Sequence, residues 1–378
     1  MLEAALLVVH AAVLALALGN TLWMRARRDR QRPLAEPVKV SVLVPARNEE
    51  ANLARLLPSL LGQRHPDLEV VVVDDASEDG TWGVIQQHAD NPRLVPVRGS
   101  GPPPGWVGKV HALYQAQKRA SGDVYLFLDA DAALADEGAL GRLLARFAAN
   151  APEAEATAQG LSRAGIVMTG LPRYLDRFPT ALLTSLVPFA VLAALPVPLV
   201  PRTRVASLGA LNGQVWMMGA ETYRALRPHE RLKDEVLEDV MIGRLSKREG
   251  LRLHFEDLQP EVEGEMYGSL GEAWRGFRKN AFLLAGSGSW AGFAAFFVVY
   301  SLVWVVAPLL SLTLLATSFV IKAVIDRAMG LPLAVSLFGP LPLILGAGLQ
   351  LDSARAHAAG AVDWKGREVS GGGVARSA

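Results

Sequence analysis

The chain contains no cysteine in 378 residues. That excludes disulfides, thiolate metal centres and a cysteine nucleophile, while leaving the redox compartment open. It has little net charge, because 38 Lys and Arg against 37 Asp and Glu leave only +1. No global basic field is therefore available to hold nucleic acid, and no nucleic-acid partner is expected. Positive charge is also missing ahead of the first apolar run, whose front carries only Glu3. A secretory signal peptide would begin with Lys or Arg, so residues 1–24 are read as an uncleaved anchor. About 20 apolar residues suffice to cross the hydrocarbon core. Arg25, Arg27, Arg28, Arg30 and Arg32 follow the run. By the positive-inside rule they place the next segment in the cytoplasm.

What the chain has in excess is apolar surface, at 51% of residues and concentrated towards both ends. Between the ends, short apolar runs alternate with helical patterns. Val38–Val44 reads as a first strand, stopped at Pro45. Asn48, Glu49 and Glu50 then open a helix with Leu53, Leu56, Leu57 and Leu60 on one face. Leu68–Val73 is a buried strand ending in Asp74-Asp75, and Val124–Leu128 is another, ending in Asp129-Ala130-Asp131. A short strand over 93–97 and a helix over 108–120 lie between them. Strand–helix–strand order is that of a parallel sheet wound by right-handed crossovers. Both acidic pairs then fall at the same sheet edge, where ligands of open α/β sheets bind. An Asp-x-Asp there can offer hard oxygen ligands to Mg2+ or Mn2+, and so hold a diphosphate. The same residues could instead cap a helix or make a turn.

Five stretches carry a resemblance: VSVLVPARNEEANL, VVVDDASEDGT, GKVHAL, FLDADAAL and LEDV, in order across about residues 38–245. Together they resemble the family 2 inverting glycosyltransferases. The resemblance implies an α/β fold, a GT-A-like Rossmann-type mixed sheet, over residues 36–285, with N-terminal and C-terminal transmembrane helices. It implies that Pro45, Ala46, Arg47, Glu49, Asp74, Asp75 and Ser77 line the nucleotide. Lys109, within Gly108-Lys109-x-x-Ala112-Leu113, and Asp129 and Glu238 would belong to the nucleotide-sugar side. Asp129 and Asp131 would bind the metal, and Asp239 would be the catalytic base. Taken on chemistry alone, Lys109 could offset diphosphate charge or be a solvated lysine at a helix start. Arg47 could be a surface residue, and Asp234, Glu235, Glu238 and Asp239 could simply complement a helix dipole. His229 reads as a surface histidine or, less strongly, as an acceptor-side group.

Residues 172–201 form a second apolar stretch, interrupted by Pro188, Pro196 and Pro198. A crossing here would separate Asp129 from Asp239 by a bilayer, so the stretch is expected to be interfacial or re-entrant. Residues 206–218 read as extended, with bends at Gly209 and Gly213. The Gln-x-x-Arg-Trp motif carried by many processive family members is absent near residues 264–282. That stretch instead resembles the membrane-bound branch that glycosylates carotenoid or hopanoid-type lipids. By that likeness Trp274, Arg278, Lys279 and Asn280 would border the diphosphate or the acceptor, although a juxtamembrane basic patch would look similar. Residues 286–350 are expected to hold two further spans, with residues 351–378 as a cytoplasmic tail carrying Trp364-Lys365-Gly366-Arg367. The expected protein is a multi-pass enzyme of the cell membrane with its catalytic domain in the cytoplasm. It would move a sugar, glucose from UDP-glucose, onto a membrane lipid, with a processive polysaccharide synthase or a non-catalytic nucleotide- or lipid-binding protein as alternatives.

Overall fold

The computed structural model describes residues 1–34, 36–286, 288–364 and 367–368. Lys365 and Gly366 of the tail signature, and residues 369–378, lie outside the described residues. The chain divides into two compact units. One comprises Ala26–Arg173 and Pro198–Gly264; the other comprises Met1–Arg25, Tyr174–Val197 and the chain from Glu265 onward.

The first unit is built on the apolar runs seen in sequence. Ten strands are used below: β1 Val40–Ala46, β2 Leu68–Asp74, β3 Leu94–Arg98, β4 Val124–Leu128, β5 Ala132–Leu134, β6 Ile166–Leu171, β7 Arg173–Tyr174, β8 Val215–Gly219, β9 Arg252–Asp257 and β10 Val262–Gly264. Seven form one sheet in the order β3-β2-β1-β4-β8-β6-β9, and β5-β10-β7 form a small second sheet. Strands β1, β4 and β8 are buried along their whole length, as continuous apolar strands covered on both faces should be. Helix Glu50–Leu61 turns Leu53, Leu56, Leu57 and Leu60 into the core, as the periodicity predicts.

The sheet is mixed, as the family resemblance implies. Strand β8 runs antiparallel to β4, with Leu128 opposite Val215, and antiparallel to β6. The chain enters it through the loop over 206–214 instead of a crossover helix. The helix that carries Glu238 and Asp239 starts late in the acidic run. It runs Glu238–Arg248, which leaves Asp234 and Glu235 ahead of it.

Three of the five arginines after the first apolar run are consumed inside this unit. Arg27 donates to Asn150 Oδ1 at 2.7 Å and Glu256 Oε1 at 3.1 Å. The Arg28 guanidinium pairs with Asp257, and Arg32 caps the carbonyls of Ala148 and Ala151 at 3.0 and 2.9 Å. These contacts fix the start of the unit irrespective of any lipid headgroup.

The second unit is helical and apolar. Helix Leu2–Arg27 carries two fully buried polar side chains, His10 and Asn20. The stretch 172–201 breaks into helices Ala181–Thr184 and Leu186–Ala194 followed by a 3-10 turn, Val197–Arg202, in keeping with its prolines. The carbonyls left over at the end of Leu186–Ala194 need donors. Asn20 Nδ2 supplies them, at 2.9 Å to Leu192 and 2.8 Å to Leu195, while its Oδ1 accepts from Val197 N at 3.0 Å. His10 meets Thr317 Oγ1 at 2.7 Å and the Val303 carbonyl at 3.1 Å. It also stacks on Trp304, within a π-helical turn over Leu302–Val306. Two satisfied polar groups thus fix the rotation of an otherwise featureless apolar helix.

Residues 290–320 do not form one tilted helix. Helix continues from Trp290 to Leu310, the backbone extends at Ser311, and the Ser311 hydroxyl caps a new helix, Leu312–Ala328. The stretch 331–350 is likewise divided, into Leu333–Leu337 and Leu341–Ala358. Among the described residues, two helices are long and apolar enough to cross a membrane, Leu2–Arg27 and Trp290–Leu310. Only 17% and 28% of their apolar windows are buried, so neither has the environment of a soluble core helix. The expected pair of C-terminal spans therefore reduces to one helix that passes on length and composition.

Candidate active site

The parallel pairing of β1 with β2 sets Ala46 opposite Asp74, so both strands end at one edge. The loops that follow are interlocked. Asn48 N donates to Ser77 Oγ at 3.0 Å, Glu78 N to Asn48 Oδ1 at 2.9 Å, and Glu49 N to Thr81 Oγ1 at 2.7 Å. Ser77 N in turn donates to Asp74 Oδ1 at 3.0 Å. Arg47 is no loose surface residue, because it donates to the Asp75 carbonyl at 3.0 Å and to Glu78 at 2.9 Å. Asp74 and Asp75 are both buried. Pro45, Ala46, Arg47, Glu49, Asp74, Asp75 and Ser77 thus meet at one edge of the sheet.

Beside β1, strand β4 delivers Asp129 and Asp131. Lys109, the second residue of helix Gly108–Arg119, places Nζ 2.7 Å from Asp129 Oδ2 and 3.0 Å from Glu238 Oε1. It is thus not a solvated helix-start lysine. Asp239, next along the Glu238–Arg248 helix, accepts from Gly213 N at 3.0 Å through Oδ2 and from Val240 N at 2.8 Å through Oδ1. A Cβ at 213 would stand 2.9 Å from Asp239 Oδ2 and 3.2 Å from Lys109 Nζ, so a side chain there would displace both groups. Asp129, Glu238 and Asp239, 110 positions apart in sequence at the widest (239 − 129), thus gather around one ammonium group.

The electrostatics follow from crowding like charges in a confined place. Burial raises the Asp131 carboxyl to about 7, helped by the charges of Asp129 and Glu49. Asp239 is raised to about 6, by burial first and then by Glu238. Asp129 is also raised by burial, although Lys109 opposes the shift. Burial acts to lower the Lys109 ammonium, but Asp129, Glu238 and Asp239 outweigh it and hold it well above its usual range. Lys109 and Asp129 keep 32% and 26% of their side chains exposed, so solvent screens part of their interaction.

Among the described residues no group of three or more His, Asp or Glu could hold a metal ion. Asp129 and Asp131 still fit one as a partial ligand set. Asp131 Oδ1 is a buried acceptor with no hydrogen-bond partner, and Mg2+ sites commonly combine one or two carboxylates with substrate phosphates.

Not every expected residue belongs to this unit or plays its expected part. Trp274, Arg278, Lys279 and Asn280 lie on helix Leu270–Gly286 of the apolar unit. There Trp274 Nε1 donates to Asp352 Oδ2 at 2.8 Å, and the Arg278 carbonyl accepts from Ser353. His229 is neither a surface histidine nor an acceptor-side group. It is fully buried, bonded to the Tyr223 hydroxyl and packed near Phe127 and Trp216, and burial pushes it down to about 3. Two contributors carried no sequence signal. Arg55 donates to the Asp131 carbonyl at 2.7 Å, and the Asn212–Gln214 turn supplies Gly213 N.

The sequence profile named Glycosyl transferase family 2 matches residues 41–162. That match covers less than half of the chain. Over 120 residues the chain is 33% identical to 4,4'-diaponeurosporenoate glycosyltransferase of Staphylococcus haemolyticus, covering 32% of this chain and 31% of that one. Over 100 residues it is 33% identical to the probable glycosyltransferase YdaM of Bacillus subtilis, covering 26% and 24%. The matched stretch thus spans less than a third of each curated relative. The solved structure of mannosyltransferase PcManGT from Pyrobaculum calidifontis, in complex with GDP-Man and Mn2+, superposes over 95% of this chain and 99% of that one. With a TM-score of 0.55 at 19% identity, that likeness establishes the fold, a GT-A-like mixed α/β sheet.

Proposed function

We propose that this chain is a membrane-anchored, inverting, metal-dependent glycosyltransferase. It moves a hexose, glucose from UDP-glucose, onto a hydroxyl or carboxyl of a membrane lipid of the carotenoid or hopanoid kind. The observation that carries the proposal is the meeting of Asp129, Glu238 and Asp239 around Lys109. Such a cluster suits a nucleotide diphosphate on one side and an acceptor proton on the other. The named activity of the S. haemolyticus relative supports the lipid class, and the two scarcely buried apolar helices support residence in a bilayer.

In this reaction Asp74, Asp75 and Ser77 line the base and ribose, and Arg47 stiffens the loop that carries them. Asp129 and Asp131 hold Mg2+ or Mn2+, which when bound supplies electrostatic stabilisation of the departing diphosphate. Lys109 adds a fixed positive charge beside the same group. Asp239 takes the proton of an acceptor hydroxyl as its oxygen attacks the sugar carbon; a carboxylate acceptor, already ionised, would not need it. Trp274, Arg278, Lys279 and Asn280 serve the acceptor or diphosphate side. The stretch 172–201 lies in the membrane interface, and residues 36–285 face the cytoplasm.

The test is lipid extraction and mass spectrometry from cells with and without the protein. A hexosylated apolar lipid that depends on the chain is expected. A hexose polymer in its place would point to a processive synthase, and unchanged lipids and glycans would refute the enzyme assignment.

A further inference from the structure

The Asn212–Gln214 turn, a mere bend in sequence, is built into all three acidic positions. Gly213 N holds Asp239, and the Gln214 carbonyl accepts from Asp129 N at 3.2 Å. The Gln214 amide packs against Gly264, which pairs with Ala132, the residue next to Asp131. The turn is itself locked. Asn212 N donates to Thr169 Oγ1 and Asn212 Nδ2 to the Gly170 carbonyl, each at 2.9 Å, while Asn212 Oδ1 accepts from Gln214 N at 3.2 Å. Gly264 leaves room for the amide, since a Cβ there would come within 2.9 Å of Gln214 Nε2.

Gln214 is only 6% exposed. Its Nε2 and Oε1 are both buried without a hydrogen-bond partner, and so is Asp131 Oδ1. Each such orphan is costly, because burial removes its water and supplies nothing in return. Two neighbouring residues bearing a donor and acceptors in this condition point to a state in which they pair. A substrate does not reach the amide, because both of its polar atoms are closed to solvent; the Asp131 carboxylate is the partner at hand. Carboxylates that bind a metal are commonly oriented by a hydrogen bond from outside the ligand set.

We infer that Gln214 is a positioning residue for Asp131, donating Nε2–H to Asp131 Oδ1 and so presenting the other carboxylate oxygen to the divalent cation. The inference rests on the metal-dependent reaction proposed above.

The test is Mn2+ binding, followed by electron paramagnetic resonance on the full chain in detergent, with UDP and separately with GDP present. Gln214→Met keeps the bulk and removes the amide. It is expected to weaken Mn2+ binding roughly tenfold to a hundredfold without lowering the melting temperature of the metal-free protein. Combined with Asp131→Asn, it should add nothing to the loss caused by Asp131→Asn alone. If Gln214→Met does not fold, Gln214→Glu keeps the shape and sets a like charge against Asp131, and the same weakening is expected. Parental Mn2+ affinity in a folded variant, or additive losses in the double variant, would overturn the positioning role while leaving the metal assignment intact. A parent chain that binds no Mn2+ with either nucleotide would overturn both.

Discussion

Two strand ends in this chain carry acidic pairs, and they are used in opposite ways. At the end of β2, Asp74 is spent on architecture: its carboxylate takes the Ser77 amide and folds the loop that Arg47 and Asn48 then brace. At the end of β4, Asp129 and Asp131 are held in an unfavourable ionic crowd, raised by burial first and then by neighbouring carboxylates, Glu238 and Glu49 at Asp129 and Asp129 and Glu49 at Asp131, and relieved only in part by Lys109. One pair shapes the pocket. In the proposed function the other takes up the divalent cation. Stability and activity should therefore separate between the two ends.

Removing the shared cation should have the largest effect. Lys109→Met leaves Asp129 and Glu238 without their common partner. Sugar transfer is expected to fall roughly a hundredfold to a thousandfold, with a loss of stability visible in thermal unfolding. If turnover persisted at the parental rate, the lysine would be a bystander. Next comes Asp74→Ala, which strips the Ser77 amide of its buried acceptor. A destabilisation of about 1–3 kcal/mol is expected in chemical denaturation. An unchanged unfolding midpoint would erase the distinction drawn between the two ends.

At the other end the sign reverses. Asp131→Asn should raise the melting temperature of the metal-free protein while measurably weakening Mn2+ binding, because a neutral amide relieves the crowding. The smallest effect is that of pH. Asp131 releases its proton near 3.8 when unfolded and at about 7 when folded. Between these values the folded state holds more protons, so this residue's contribution to stability falls as pH rises through the window and levels off above it. Thermal unfolding of metal-free protein from pH 4.5 to 8 should show that component, and Asp131→Asn should remove it.

The parts legible in sequence were those written locally. Strand runs ending in acids, the Leu53–Leu60 face and the Asp129-x-Asp131 spacing needed only neighbours in the chain. Lys109, Glu238 and Asp239 were reachable through family resemblance, since nothing in their own spacing says that they meet. The Asn212–Gln214 turn and Arg55 stayed invisible because their roles arise from register. Gln214 reaches Asp129 only because β8 pairs antiparallel with β4, Val215 opposite Leu128. His229 misled for the same reason: a histidine near charged residues looks exposed until a tertiary fold closes over it. Asn20 and His10 were hidden within an apolar run whose mean character describes neither of them.

The central claim is that Asp239 performs the proton transfer at a site where Asp129 and Asp131 hold the donor. Asp239→Asn in the full chain tests it most directly, with nucleotide binding in the presence of Mn2+ measured by calorimetry and hexose transfer to a hydroxyl-bearing lipid measured by mass spectrometry. Binding close to the parent's, with transfer reduced by roughly 10²–10⁴, is the predicted result. Transfer at the parental rate to that hydroxyl acceptor would contradict the account.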